Sequence, residues 1–97
     1  MTAATQELEV KLGNQFLIEL PSNRTTGYRW EAHYDGTLLE LSASKYKCDS
    51  QKPGSGGTES FRFKASRKGR ALIKMLYKRP WEEMVAREIL YEVTIKD

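Results

Sequence analysis

The sequence predicts an all-β chain, an antiparallel β-sandwich of about eight strands. Three observations predict it. Apolar residues recur at every second position through most of the 97 residues. Turn-forming residues break that alternation at short intervals. No segment carries a continuous apolar stripe at helical spacing. Period-two alternation turns one side of a strand into a core and the other into water. Several short strands separated by turn signals make the pattern of a sandwich.

Each element follows in order. Leu8, Val10 and Leu12 alternate with Glu7, Glu9 and Lys11, and Gly13-Asn14 is a tight reversal. Phe16, Ile18 and Leu20 form a second row. Tyr28, Trp30, Ala32 and Tyr34 form a third against Arg29, Glu31 and His33, and Asp35-Gly36 turns the chain. Leu39 and Leu41 predict a short strand, and Tyr46 and Cys48 another. A polar gap over 49–59 precedes the row Phe61, Phe63 and Ala65. Arg67-Lys68-Gly69 is the next turn, before the row Ala71, Ile73, Met75 and Tyr77. Residues 79–90 fit two states. Pro80 with Glu82 and Glu83 suits a first helical turn, but Trp81, Met84 and Val85 give no continuous stripe. The segment is expected to be a loop with at most one helical turn. Ile89, Tyr91, Val93 and Ile95 make the last strand. No linker or repeat divides the chain, so residues 1–97 are expected to be one domain.

Composition narrows the function. An apolar content of 39% supports a thin core, and 30% charged residues give a well-solvated surface. The net charge is +3, from 16 basic and 13 acidic residues spread along the chain. That balance argues against a nucleic-acid binder, which clusters its cations. One cysteine, Cys48, excludes an internal disulfide. No run approaches the ~18 apolar residues of a membrane span. The first ten residues show neither a basic nor an apolar signal region. The expectation is a monomer off the membrane, either cytoplasmic or a mature secreted form.

Catalytic and metal chemistry find little material. The only histidine, His33, alternates onto the polar face, and the only cysteine, Cys48, lies in the row of Tyr46. A nucleophile–base pair is therefore not expected, and Cys48 reads as a small core residue. One His and one Cys without spaced carboxylates form no metal site, and no cofactor motif is present. Gly54-Ser55-Gly56-Gly57 opens a strand, not a helix, so it is no phosphate loop. Its glycines suit a flexible loop, or a close backbone approach to a partner. Arg79-Pro80-Trp81 follows a strand directly. Its Trp either caps the sandwich or anchors an interface, where Arg and Trp are enriched. Asn23-Arg24-Thr25-Thr26-Gly27-Tyr28, by itself, is an ordinary turn.

Together these segments say more. They are the connections after the second row, before the Phe61 row and before the last row. In an immunoglobulin-like order those three connections lie at one end of the sandwich.

With those three segments in that order, the chain resembles the chagasin family of cysteine peptidase inhibitors. The family's motifs are Asn-Pro-Thr-Thr-Gly before an aromatic, Gly-x-Gly-Gly, and Arg-Pro before an aromatic. They stand here as Asn23 to Tyr28, Gly54 to Gly57, and Arg79-Pro80-Trp81. Trp30 and Tyr77 match the flanking framework, and the resemblance spans roughly residues 7 to 96. It implies an immunoglobulin-like sandwich whose three loops wedge into the cleft of papain-like cysteine peptidases. Thr25 and Thr26 would sit nearest the catalytic pair, Gly54 to Gly57 along one wall, and Arg79 and Trp81 against the other. Such an inhibitor needs no chemistry of its own, because it excludes substrate and water from a thiolate–imidazolium pair.

Arg24 departs from the pattern, standing where the family has Pro. Loss of the ring is expected to cost roughly 0.4–1 kcal/mol of preorganisation. It also makes Asn23-Arg24-Thr25 a glycosylation acceptor. A glycan there would block the wedge, so the functional form is expected to avoid a glycosylating pathway. The alternative reading is an immunoglobulin-like adhesion or carbohydrate-binding module. That module would need aromatics aligned on a sheet face, whereas the inhibitor needs Trp81 on the same tip as Thr25 and Gly56.

Overall fold

The computed structural model describes residues 4–48 and 56–97, with Arg24 described by its backbone alone. The described residues form seven strands: β1 (Ala4–Lys11), β2 (Gln15–Ser22), β3 (Arg29–His33), β4 (Leu39–Cys48), β5 (Gly57–Ala65), β6 (Gly69–Lys78) and β7 (Val85–Lys96). They make two sheets, one ordered β1-β7-β6-β3 and one ordered β2-β5-β4.

The alternating rows become the core between the sheets. Ile18 and Leu20 of β2 and Phe61, Phe63 and Ala65 of β5 face Ala71, Ile73 and Met75 of β6 and Ile89, Tyr91, Val93 and Ile95 of β7. Phe63 is fully buried at the centre. It stacks on Phe16 at 5.7 Å and takes the edge of Tyr34 at 5.1 Å. Burying one such ring is worth roughly 1.5–3 kcal/mol.

Four details differ from the sequence reading, each for a local reason. Leu39 and Leu41 were expected in one strand and Tyr46 and Cys48 in another. Both pairs lie in the single strand β4, so the strands number seven. The register along β5 shifts between Leu41 and Ala43, and Leu41 lies opposite Phe63 while Tyr46 lies opposite Glu59. The two pairs are out of phase by one residue, and one β-bulge absorbs the difference.

The sandwich is antiparallel except at one pair, where β1 runs parallel to β7 with Leu8 beside Val93. The Gly13-Asn14 reversal is present but does not close a hairpin. Leu12 N–H donates to the Lys96 carbonyl of the first sheet, and Gly13 N–H donates to Ala65 of the second. Gly13 takes φ 87°, and the chain changes sheets within these residues. The expected inward place of Leu12 is lost with that crossing, leaving it 43% exposed.

Cys48 is exposed rather than packed in the core, because β4 is an edge strand that ends at the open mouth of the sandwich. Glu59, which sequence reasoning passed over, is 4% exposed on the inward row of β5.

Candidate functional site: three loops at one end

Strand direction brings the three connections to one end. Ser22, the last residue of β2, pairs with Gly57, the first of β5, and Gly57 also pairs with Cys48 at the end of β4. Arg29 at the start of β3 pairs with Lys78 at the end of β6, which pairs in turn with Val85. The chain therefore leaves the sandwich on the same side after Ser22, Cys48 and Lys78.

The first loop is a 3-10 turn, Arg24–Thr26, wound around the Asn23 side chain. Asn23 Oδ1 accepts from Thr25 N–H at 3.1 Å and from the Thr25 hydroxyl at 2.5 Å. The Thr26 hydroxyl donates to the Asn23 carbonyl at 2.7 Å and accepts from Tyr28 N–H at 3.4 Å. Gly27 closes the turn at φ 84°, a left-handed conformation that glycine adopts without strain. Asn23 N–H donates to the Tyr77 hydroxyl, tying the loop to β6. Both threonine protons are thus spent within the loop. What the two exposed threonines offer outward is methyl surface and acceptor lone pairs, on a turn already fixed.

The third loop grips the first. Arg79 Nε donates to the Thr26 carbonyl at 3.1 Å, and Nη1 pairs with Glu82 at 3.2 Å. The guanidinium also lies 4.6 Å from the centre of the Tyr28 ring. The Glu82 N–H donates to the Arg79 carbonyl, so the segment is one tight turn and no helix. Trp81 lies edge-on against Gly27. A Cβ built there would stand 2.7 Å from Trp81 Cη2. The indole is otherwise 71% exposed, so it does not cap the core.

Beneath the loops runs a stack of rings. Tyr28 stacks on Tyr77 at 5.2 Å, and Tyr77 on Trp30 at 4.8 Å. Trp30 Nε1 donates to the Pro21 carbonyl, and its backbone N–H donates to the buried Glu59 carboxylate. Glu59 and Arg87 are the site-end residues that sequence reasoning missed. Glu59 is buried on the inward row of β5 two before Phe61, and Arg87 keeps the same spacing two before Ile89 but is exposed. A charge in an apolar row was the legible signal.

Of the Gly-rich loop, Gly54 and Ser55 lie outside the described residues, as does the Arg24 side chain. Gly56 is exposed at the tip, where a Cβ would make ordinary contact with the Ser22 carbonyl. Gly57 is buried, and a Cβ there would meet the Lys47 carbonyl and stand 2.6 Å from the Tyr46 hydroxyl. Its lack of a side chain is required by the fold's own packing.

Trp81, Thr25 and Gly56 thus share one tip, while Trp30 is buried and Tyr28 and Tyr77 stack beneath the loops. Among the described residues no row of aromatics lines a sheet face. His33 and Cys48 lie in different sheets and at opposite ends, since β3 runs away from the tip and β4 toward it.

The family model described as chagasin family peptidase inhibitor I42 matches residues 9–95. The chain belongs to the chagasin family of peptidase inhibitors. Chagasin of Trypanosoma cruzi is 32% identical over 82 residues, covering 76% of this chain and 73% of its own. Amoebiasin-2 of Entamoeba histolytica is 31% identical over 94 residues, covering 92% of this chain and 76% of its own. The crystal structure of a cysteine protease inhibitor from Entamoeba histolytica superimposes with a TM-score of 0.85 at 27% identity, over 97% of this chain and 88% of that one. Members of the chagasin family inhibit peptidases and are not themselves enzymes. The Asx turn bears on this chain's departure from the family motif at Arg24. Two hydrogen bonds to Asn23 Oδ1 hold the turn that a proline would otherwise stiffen.

Proposed function

We propose that this chain is a reversible, non-covalent inhibitor of papain-like cysteine peptidases that blocks the active-site cleft with its three loops. The contact residues are Asn23, Arg24, Thr25, Thr26, Gly27, Tyr28, Gly54, Ser55, Gly56, Gly57, Arg79, Pro80 and Trp81. The observation that carries this reading is the clamp between two of the loops. Arg79 holds the Thr26 carbonyl, and Trp81 lies on Gly27, in the unbound chain. A wedge assembled in advance loses little ordering entropy on entering a cleft.

The roles follow from what each group has left to offer. The Thr25–Thr26 turn is narrow, internally bonded and free of nucleophiles, so it fills space beside the catalytic thiolate without presenting a scissile bond. Trp81 supplies a stiff apolar surface, the residue type that dominates interface energetics. Arg79 acts mainly inside the inhibitor, because three of its interactions are already made there.

The test is titration of papain and a cathepsin L-like enzyme with the protein. Dose-dependent, dilution-reversible inhibition is expected, and no inhibition at micromolar protein overturns the proposal. Arg79→Lys checks the clamp. Lysine carries charge but not the planar fork. Inhibition is expected to weaken and the unfolding midpoint to fall with it, because the bonds lost are internal ones, worth about 1.5–3 kcal/mol where one partner is charged.

A further inference from the structure

Beside the clamped loops lies a second feature that the three motifs do not account for. An open hollow on the tip is lined by Ser22, Asn23, Gly56, Gly57, Tyr77 and Arg87. Two of its side chains, Ser22 and Tyr77, carry hydroxyl protons with no acceptor seen among the described residues. The Ser22 hydroxyl is buried, with the residue 5% exposed, and has no hydrogen-bond partner. The Tyr77 hydroxyl already accepts from Asn23 N–H, which leaves its own proton to give. Arg87 lies on β7 opposite Tyr77, two residues before the buried Ile89, and its side chain is exposed. Its guanidinium lies 5.6 Å from the centre of the Trp30 ring. Among the described residues no carboxylate pairs with it, and none lines the hollow.

An arginine over an aromatic face, with no paired carboxylate among the described residues and two hydroxyls in the same hollow, is suited to receive an anion. Planar, bidentate recognition favours a carboxylate. The hollow opens between the first loop and Gly56–Gly57, so a body that meets both also meets the hollow. We propose that the hollow takes an aspartate or glutamate side chain of the target peptidase from the rim of its cleft. Arg87 makes the ion pair, and the Tyr77 and Ser22 hydroxyls donate to the carboxylate directly or through one water. Arg87 thereby selects among peptidases according to whether their rim carries an acid at that place. This rests on the inhibitory reading above.

The experiment compares wild type, Arg87→Gln and Arg87→Lys against a peptidase that wild type inhibits, at low and at high salt, with sodium phosphate as a free-anion competitor. Inhibition by wild type establishes the parent reading separately. Arg87→Gln is expected to raise the inhibition constant roughly tenfold at low salt and to flatten its salt dependence, as loss of a charge contact does. Arg87→Lys is expected to fall between the two, keeping the charge and losing the fork. Thermal melts monitored by circular dichroism serve as the folding control, with a midpoint near that of wild type. Equal inhibition constants and equal salt slopes for wild type and Arg87→Gln overturn the proposal. So does a variant that loses affinity with an unchanged salt slope, which marks Arg87 as a packing residue. Phosphate that weakens wild type and Arg87→Gln alike, once ionic strength is matched, shows that the hollow holds no anion and equally overturns it.

Discussion

At the scale of single residues, the contact between Gly27 and Trp81 shows how little freedom the tip has. Gly27 sits at φ 84°, and its Cα is where the indole edge rests. Two substitutions at this contact are expected to separate binding from folding. Gly27→Ala puts a methyl 2.7 Å from Trp81 Cη2 and forces an L-residue into the left-handed region. It should cost about 1–2 kcal/mol of stability as well as inhibition. Trp81→Ala removes a ring that is 71% exposed. It should leave the urea midpoint close to wild type while weakening inhibition by about 2 kcal/mol or more. Equal inhibition constants for wild type and Trp81→Ala would reduce the indole to a cover for Gly27. Thr25→Ala should weaken inhibition less than either, because the turn's backbone still fills the cleft. Asn23 belongs to the same scale. Its Oδ1 closes the turn, so a glycan built on this side chain would stand within the wedge.

At the scale of elements, the far end of the sandwich carries the same turn device with a titratable residue. In the connection from β3 to β4, Asp35 Oδ1 accepts from Thr37 N–H at 2.9 Å and from its hydroxyl at 2.6 Å. The Thr37 side-chain bond comes first, with the Thr37 N–H and the nearby Arg67 charge adding to it, in holding the Asp35 carboxyl below its ordinary value of 3.8. A carboxyl depressed in the folded state contributes stability above its unfolded pKa and loses it as pH falls through the folded value. Wild type should therefore lose melting temperature below about pH 4. Asp35→Asn, which keeps an acceptor and does not titrate, should lose less. Melts across that acid window check it, and parallel acid limbs for the two proteins would refute it. The first tip loop carries no such carboxyl in its own turn, since Asn23 does with a neutral amide what Asp35 does with a charge.

At the scale of the whole molecule, the loops are held by a thin core crossed by a few large side chains. Phe63 is fully buried, with Phe16 and Tyr34 packed on it. Phe63→Ala should cost about 3–5 kcal/mol in urea unfolding. Binding by the fraction that remains folded should change little, because Phe63 lies on β5 away from the tip. The contrast with Trp81→Ala divides the molecule into a body that supplies stability and an end that supplies contact. The ring stack of Tyr28, Tyr77 and Trp30 joins the two, with Arg79 over one end and Arg87 over the other.

The amino-acid sequence by itself determined the strand rows, the turns and the order of the three loop motifs, because each is local. Side-chain phase repeats every two residues, and turn chemistry is written in adjacent residues. It also placed Trp81 with Thr25 and Gly56, since alternate connections of a sandwich share an end. Only the tertiary structure decided what depends on distant partners. The bulge in β4 appears once the strand is laid against β5, and the parallel β1–β7 pair once the chain changes sheets at Gly13. The roles of Arg79, Tyr77 and Arg87 were decided in the same way. Arg79 meets the Thr26 carbonyl across 53 positions, and Tyr77 meets Asn23 N–H across 54. Among the described residues Arg87 pairs with no carboxylate. A residue's type announces what it can bond, but which of those bonds the fold has already used is fixed only when both sheets are in place.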